Sequence, residues 1–256
     1  MPTVTSADRT MIAFSCIGSG PALILVDGAM CFRAAGPLQP LAATLQGRFT
    51  VYTYDRRGRG ESSDTLPYAV AREVEDLRAL VEQAGGEAFV YGISSGAALA
   101  LTAAGSGITR LALYDPPFMG EVEDGVRIKE YTQQLTELLA EGRRGDAVAL
   151  FMNNVGIPAE VVAGMRSGPG WSTLESIAPT LAYDAEILGD GRVPRGLDIS
   201  VPTLVLAGGA SPAPLQQAAR ATADALPGAG FRTLDGQTHD VAPDALAPVL
   251  AEFFGS

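Results

Sequence analysis

Serine hydroxyls, imidazoles and carboxylates together can attack a carbonyl group without a cofactor. Gly92, Ile93, Ser94, Ser95 and Gly96 form a GxSxG pentapeptide between a strand-like run, AlaPheValTyr, and a run of small apolar residues, AlaAlaLeuAlaLeu. A serine on a sharp strand-to-helix turn holds strained backbone angles, and glycine on both sides relieves crowding between strand and helix. A helix starting there favours negative charge at its N-terminus. The context therefore predicts nucleophilic chemistry at Ser94 rather than a glycine-rich turn of similar spelling.

A serine hydroxyl is a weak nucleophile near neutral pH and needs a base, for which imidazole is the usual choice. The chain has 1 histidine, His239, in the segment GlyGlnThrHis between the last strand-like run and the last helical one. From that position it can lean back over Ser94, so His239 is the expected general base. Asp115, in TyrAspProProPhe directly after a strand-like run, is the expected acid partner and keeps the chain order nucleophile, acid, histidine. Asp-Pro-Pro also initiates turns, and that structural use stands beside the catalytic one. Asp184, Asp235 and Asp240 are weaker candidates. The last two adjoin His239 in sequence, where adjacency rarely gives the right geometry.

Other polar clusters read as structural. Arg56, Arg57 and Arg59 are expected to brace their turn through carboxylate or carbonyl contacts. No group has metal-ligand spacing, and no cofactor is expected. GlySerGly at 18–20 reads as a hairpin turn, since no helix follows it to make a phosphate loop. Cys16 and Cys31 are expected to be reduced and packed.

These side chains need a scaffold. Ala22 to Val26, Phe49 to Tyr54, Ala88 to Tyr91, Ile108 to Tyr114, Thr203 to Ala207 and Phe231 to Leu234 are nearly continuous apolar runs bounded by turn residues, which predicts strands covered on both faces. Met11 to Ile17 reads as an antiparallel strand entering at the edge. Val70, Val74, Leu77 and Val81 recur at helical spacing before Gly85 and Gly86. Segments 212–226 and 243–254 read as helices with proline in the first turn. Alternating strand and helix predicts an α/β fold with a doubly wound, mostly parallel sheet. From Met119 to Arg195 the pattern is helical without a convincing strand, as at Tyr131 to Leu139 and Ala147 to Met152. This stretch is read as an inserted helical cap, 119–195, splitting a core of 1–118 and 196–256. Phe118, Met119, Tyr131, Phe151, Met152, Met165, Trp171 and Tyr183 could wall an apolar pocket over Ser94 or simply form its core.

With the elbow, the turn residues Asp55, Arg57, Gly58, Gly60 and Ser62 and the run Thr203 to Gly209, nearly the whole chain resembles the α/β-hydrolase superfamily of serine enzymes. The resemblance implies an eight-stranded sheet and an oxyanion hole built from backbone N–H groups, here those of Ala29 and Ser95. Two departures stand out. Many relatives carry the acid after the seventh strand, where this chain has GlyGlyAlaSerPro and offers Ser211; some place it after the sixth, where Asp115 lies. Relatives also commonly carry His-Gly after the third strand, where this chain has Asp27 and Gly28. Asp27 is expected to bond loop amides. An aspartate-nucleophile mechanism, as in epoxide hydrolases of this fold, is disfavoured by serine at the elbow.

The 256 residues suit one domain with a modest insertion, and 47% hydrophobic against 18% charged residues describes a chain that folds. A formal charge of −11 repels phosphate backbones and anionic bilayers, so nucleic acid and membrane partners are not expected, and a small uncharged substrate is. The first residues lack the basic and apolar regions of a signal peptide, which points to the cytoplasm. The leading expectation is hydrolysis of an ester, lactone or thioester of a small, largely apolar molecule. A lyase or cyclase using His239 and Asp115 for proton transfer, and a receptor built on an inactive hydrolase, are the rivals.

Overall fold

The computed structural model describes residues 2–105, 107–121, 125–196 and 199–255. Eight strands form one sheet in the order β1-β2-β4-β3-β5-β6-β7-β8: β1 (Thr3–Thr5), β2 (Met11–Gly18), β3 (Ala22–Val26), β4 (Thr50–Tyr54), β5 (Ala88–Ile93), β6 (Ile108–Tyr114), β7 (Thr203–Gly208) and β8 (Gly230–Leu234). Strands β3 to β8 run parallel, whereas β2 pairs antiparallel with both β4 and β1. Parallel neighbours must be joined by crossovers, and helices supply them.

Each face of the sheet has its own apolar core. On one, α1 (Leu38–Leu45) and α10 (Pro243–Gly255) cover Leu23, Leu25, Tyr91, Tyr114 and Leu206. On the other, α2 (Val70–Gln83), α3 (Ser95–Thr102) and α9 (Ala213–Ala225) cover Ile24, Val26, Val90, Leu113 and Val205. Alternate residues of one strand thus enter opposite cores, so both sets must be apolar. Helix α3 is so rich in alanine because it lies flat on the sheet: Ala97 to Leu101 are fully buried.

Between β6 and β7 the chain departs into α4 (Gly125–Ala140), α5 (Arg144–Asn154), α6 (Ala159–Arg166), α7 (Trp171–Ile177) and α8 (Leu181–Leu188). This helical insertion has a third core, centred on Leu135, Val148, Met152, Trp171 and Leu181, which also takes in Met30 from the loop after β3. Helix α8 packs on α2 and α3. Of the apolar residues considered as pocket walls, Phe118 belongs to the sheet core, Met152 and Trp171 to the insertion core, and Met165 is 39% exposed. Tyr183 stacks on Tyr68, ring centroids 3.8 Å apart.

Three expectations need correction. Gly18 to Gly20 does not close a hairpin, because β3 pairs with β4 and β5 while β2 lies beyond β4. β2 is not the edge strand either; β1, only three residues long, takes that place. Cys16 is exposed rather than packed, and neither cysteine forms a disulfide.

Candidate active site

Strands β5 and β6 end side by side, with Ile93 paired to Tyr114, so Ser94 and Asp115 leave adjacent strands at the same level. The Ser94 amide donates to the Tyr114 carbonyl (3.0 Å), and the Asp115 amide donates to Leu206 of the next strand (2.9 Å). Both residues have positive φ, 57° at Ser94 and 44° at Asp115. Non-glycine residues hold such angles only where surrounding structure imposes them. At Ser94 the imposition is visible. A Cβ on Gly92 would strike the Gly96 carbonyl and the Ala97 backbone, and one on Gly96 would strike the carbonyls of Val26 and Asp27. Strand and helix meet too closely for any side chain there.

Asp115 is fully buried and its carboxylate is held from three directions. The Gly208 amide donates to Oδ1 (3.1 Å), the Ser211 hydroxyl to Oδ2 (2.7 Å), and His239 Nδ1 lies 3.1 Å from Oδ2. A carboxylate has no hydrogen to give, so Nδ1 carries the proton in this bond and the lone pair of neutral imidazole resides on Nε2. The histidine loop is itself tethered: Tyr114 donates its hydroxyl to the Thr238 carbonyl (2.6 Å) and Ala210 its amide to the Gln237 carbonyl (2.8 Å). Asp235 and Asp240 are exposed, and Asp184 bonds elsewhere. Ser211, in the place where many relatives carry the acid, instead supports the carboxylate of the neighbouring strand.

The loop after β3 approaches Ser94 from the other side. A Cβ on Gly28 would lie 3.0 Å from Ser94 Cβ and 3.6 Å from its Oγ. Among the described residues, neither the Ala29 nor the Ser95 amide donates to a protein acceptor. Ser95 opens α3, where the first amides have no partner within the helix.

Asp27 does not bond loop amides. Its side chain is buried against Gly36, Oδ1 has no hydrogen-bond partner, and no bond to the carboxyl is found among the described residues. Burial pushes its pKa up to about 7, against the pull of Arg59 and Arg56 and with a push from Asp55. Near neutral pH it is therefore in part a neutral acid, which lessens the repulsion a carboxylate would impose on charge developing nearby. Burial, with Asp27 next in weight, likewise raises the Cys31 thiol to about 12, so this cysteine stays protonated.

The arginines are fully buried and paired. Arg56 grips Glu73 (2.8 Å) and Asp184 (2.7 Å), and Arg57 grips Asp76 (2.7 Å) and Asp8 (2.9 Å). Arg59 spans Asp184 (2.6 Å) and the Gly28 carbonyl (2.6 Å). Burial works against the Asp184 carboxylate, yet Arg59, Arg56 and the Ser95 hydroxyl hold its pKa below the ordinary value. Sequence reasoning anticipates arginines bracing their turn, but nothing local marks Asp184, from the distant insertion, as their partner. No group of three metal-binding side chains occurs among the described residues. No described helix is long and apolar enough to cross a membrane.

A family model described as alpha/beta hydrolase family matches residues 19–252. Among solved structures, an alpha/beta hydrolase from Sphaerobacter thermophilus DSM 20745 is 52% identical, with a TM-score of 0.88, covering 99% of this chain and 100% of that one. An esterase from Thermogutta terrifontis (22% identity, TM-score 0.70, 99% and 97% covered) shares the fold. So does an enol-lactonase from Burkholderia xenovorans LB400 (21% identity, TM-score 0.72, 100% of both covered).

Proposed function

We propose that this chain, which belongs to the alpha/beta hydrolase family, is a serine hydrolase cleaving an ester, lactone or thioester of a small, largely apolar molecule. The observation that carries this reading is the Asp115–His239 pair, 3.1 Å apart, beside a strained serine on the adjoining strand end. Ser94 Oγ attacks the carbonyl carbon while its proton passes to His239 Nε2. Asp115 keeps the imidazole in the required tautomer and stabilises the imidazolium. The amides of Ala29 and Ser95 donate hydrogen bonds to the developing oxyanion, and one such donor is worth about 3 kcal/mol of barrier. The tetrahedral intermediate expels the alcohol or thiol with the proton from Nε2. Water, deprotonated by His239, then releases the acid by the same steps.

The insertion at 119–195 acts as a cap that chooses the acyl group. Charge favours a neutral substrate over nucleic acid or an anionic bilayer, and the protein works in the cytoplasm. Fold neighbours named as an esterase and an enol-lactonase are compatible with this class. The test is hydrolysis of short aryl esters. Turnover should fall by at least about 10⁴-fold in both Ser94→Ala and His239→Ala. A second reading, a lyase or cyclase using His239 and Asp115 for proton transfer, is favoured by the altered loop at Asp27, a buried acid able to hold a proton near neutral pH. Activity retained in Ser94→Ala would replace the hydrolase reading with that one. Absence of any turnover would return the chain to the receptor class.

A further inference from the structure

The densest group of buried charge outside the three residues proposed for acyl and proton transfer meets at Asp184, on α8 of the insertion. Asp184 Oδ1 accepts hydrogen bonds from the Ser95 hydroxyl (2.7 Å) and from Arg56 Nη1 (2.7 Å), while Oδ2 accepts one from Arg59 Nη2 (2.6 Å). The arginines carry the connection onward to the loop after β3. Arg59 Nη1 donates to the carbonyls of Gly28 (2.6 Å) and Cys31 (3.4 Å), and Arg56 Nη1 reaches that of Asp27 (3.4 Å). Arg59 Nε donates to Thr180 of the insertion (3.0 Å), and Glu73 takes the other edge of Arg56. One carboxylate therefore holds Ser95 directly and, through one guanidinium each, the carbonyls on both sides of Ala29.

We propose that Asp184 is a positioning residue that sets the spacing of the two oxyanion donors, so that seating of the helical insertion on the sheet governs the acylation rate. This rests on the assignment of the Ala29 and Ser95 amides under the proposed function. Short charge-assisted bonds are stiff and directional. Oxyanion donors act only within a narrow range of distances, so small displacements cost rate. A buried ion cluster adds little stability over a well-packed apolar one, which leaves specification of geometry as its contribution here.

Two variants test this with p-nitrophenyl acetate on the full chain. Ser95→Ala deletes the hydroxyl that Asp184 holds but keeps the amide, and Asp184→Asn keeps the shape but removes the charge. Each should lower kcat about tenfold with KM within about twofold. Inactivation by a fluorophosphonate should slow by the same factor, and the double variant should be no slower than the slower single one, because both cut one linkage. If Asp184→Asn fails to fold, with Arg59 left without its carboxylate, Ser95→Ala still decides. Unchanged kcat in Ser95→Ala while Ser94 is still labelled overturns the inference and spares the hydrolase reading. A loss of kcat that merely follows a lowered melting temperature, with KM rising alongside, also overturns it. A wild-type protein that neither turns over nor labels overturns the hydrolase reading itself, and this inference with it.

Discussion

The two sides of the site are held by different means. At the ends of β5 and β6 and in the loop after β8, Ser94, Asp115 and His239 are held chiefly by main chain: strand pairing, two residues at positive φ, and amide or hydroxyl bonds to a single carboxylate. Across the elbow, the loop after β3 and the helical insertion are fixed by side-chain charge, with Arg56, Arg57 and Arg59 threaded among Asp8, Glu73, Asp76 and Asp184. The first arrangement turns on one carboxylate, and its histidine side chain is 42% exposed. The second is almost dry. The proposed chemistry thus sits where the backbone is over-determined and water can reach the imidazole, while buried charge holds loops in register. The variants below separate the two by breaking one side at a time.

The largest effect is expected from Asp115→Asn, which keeps the side chain's shape but removes the charge that favours Nδ1–H. kcat for aryl esters should drop by about 10³ to 10⁴, with a melting temperature close to wild type. A drop below tenfold would mean that His239 is oriented by something else. Arg57→Met should do the converse. It strands Asp76 and Asp8 without touching Ser94 or His239, so denaturant unfolding should show a loss of about 3–5 kcal/mol, while the folded fraction keeps its kcat. If kcat falls with stability, the Arg57 pairs bear on the elbow as well as on the fold.

A smaller effect comes from Asp27, which belongs to the charged side but is itself unpaired. Folding raises its pKa from 3.8 to about 7, so the folded protein keeps a proton that the unfolded chain has released. The stabilisation from the neutral carboxyl is complete below about pH 4 and is lost as pH rises towards about 7. Asp27→Asn has no proton to lose. Its stability relative to wild type should therefore grow between pH 5 and pH 8, by on the order of 2 kcal/mol, as read from urea midpoints. A pH-independent difference would show that the carboxyl is already ionised in the folded protein.

This contrast also explains what the sequence makes legible. Each central strand is a short apolar run, and Val70, Val74, Leu77 and Val81 repeat at helical spacing, because burial of these elements leaves a local pattern. β1 is three residues of alternating burial, too short for a pattern, and α1 follows Pro37 with a second proline at Pro40, which reads as loop. Ser94 is marked by its glycines and His239 by being single. Asp115 is marked only by its place after a strand, and Ser211 stands in sequence as a missing acid rather than as that acid's hydrogen-bond donor. Asp184 carries no local mark. Its partners are far away in the chain, and a buried ion cluster is defined by tertiary closure alone.

The central claim, that Ser94 is a nucleophile activated by His239, is tested most directly with a fluorophosphonate probe followed by peptide mapping. The account predicts stoichiometric modification of the peptide carrying Ser94, abolished by Ser94→Ala and slowed by about 10³-fold or more in His239→Ala. An unlabelled Ser94 in folded wild-type protein, or labelling at an equal rate without His239, would contradict it.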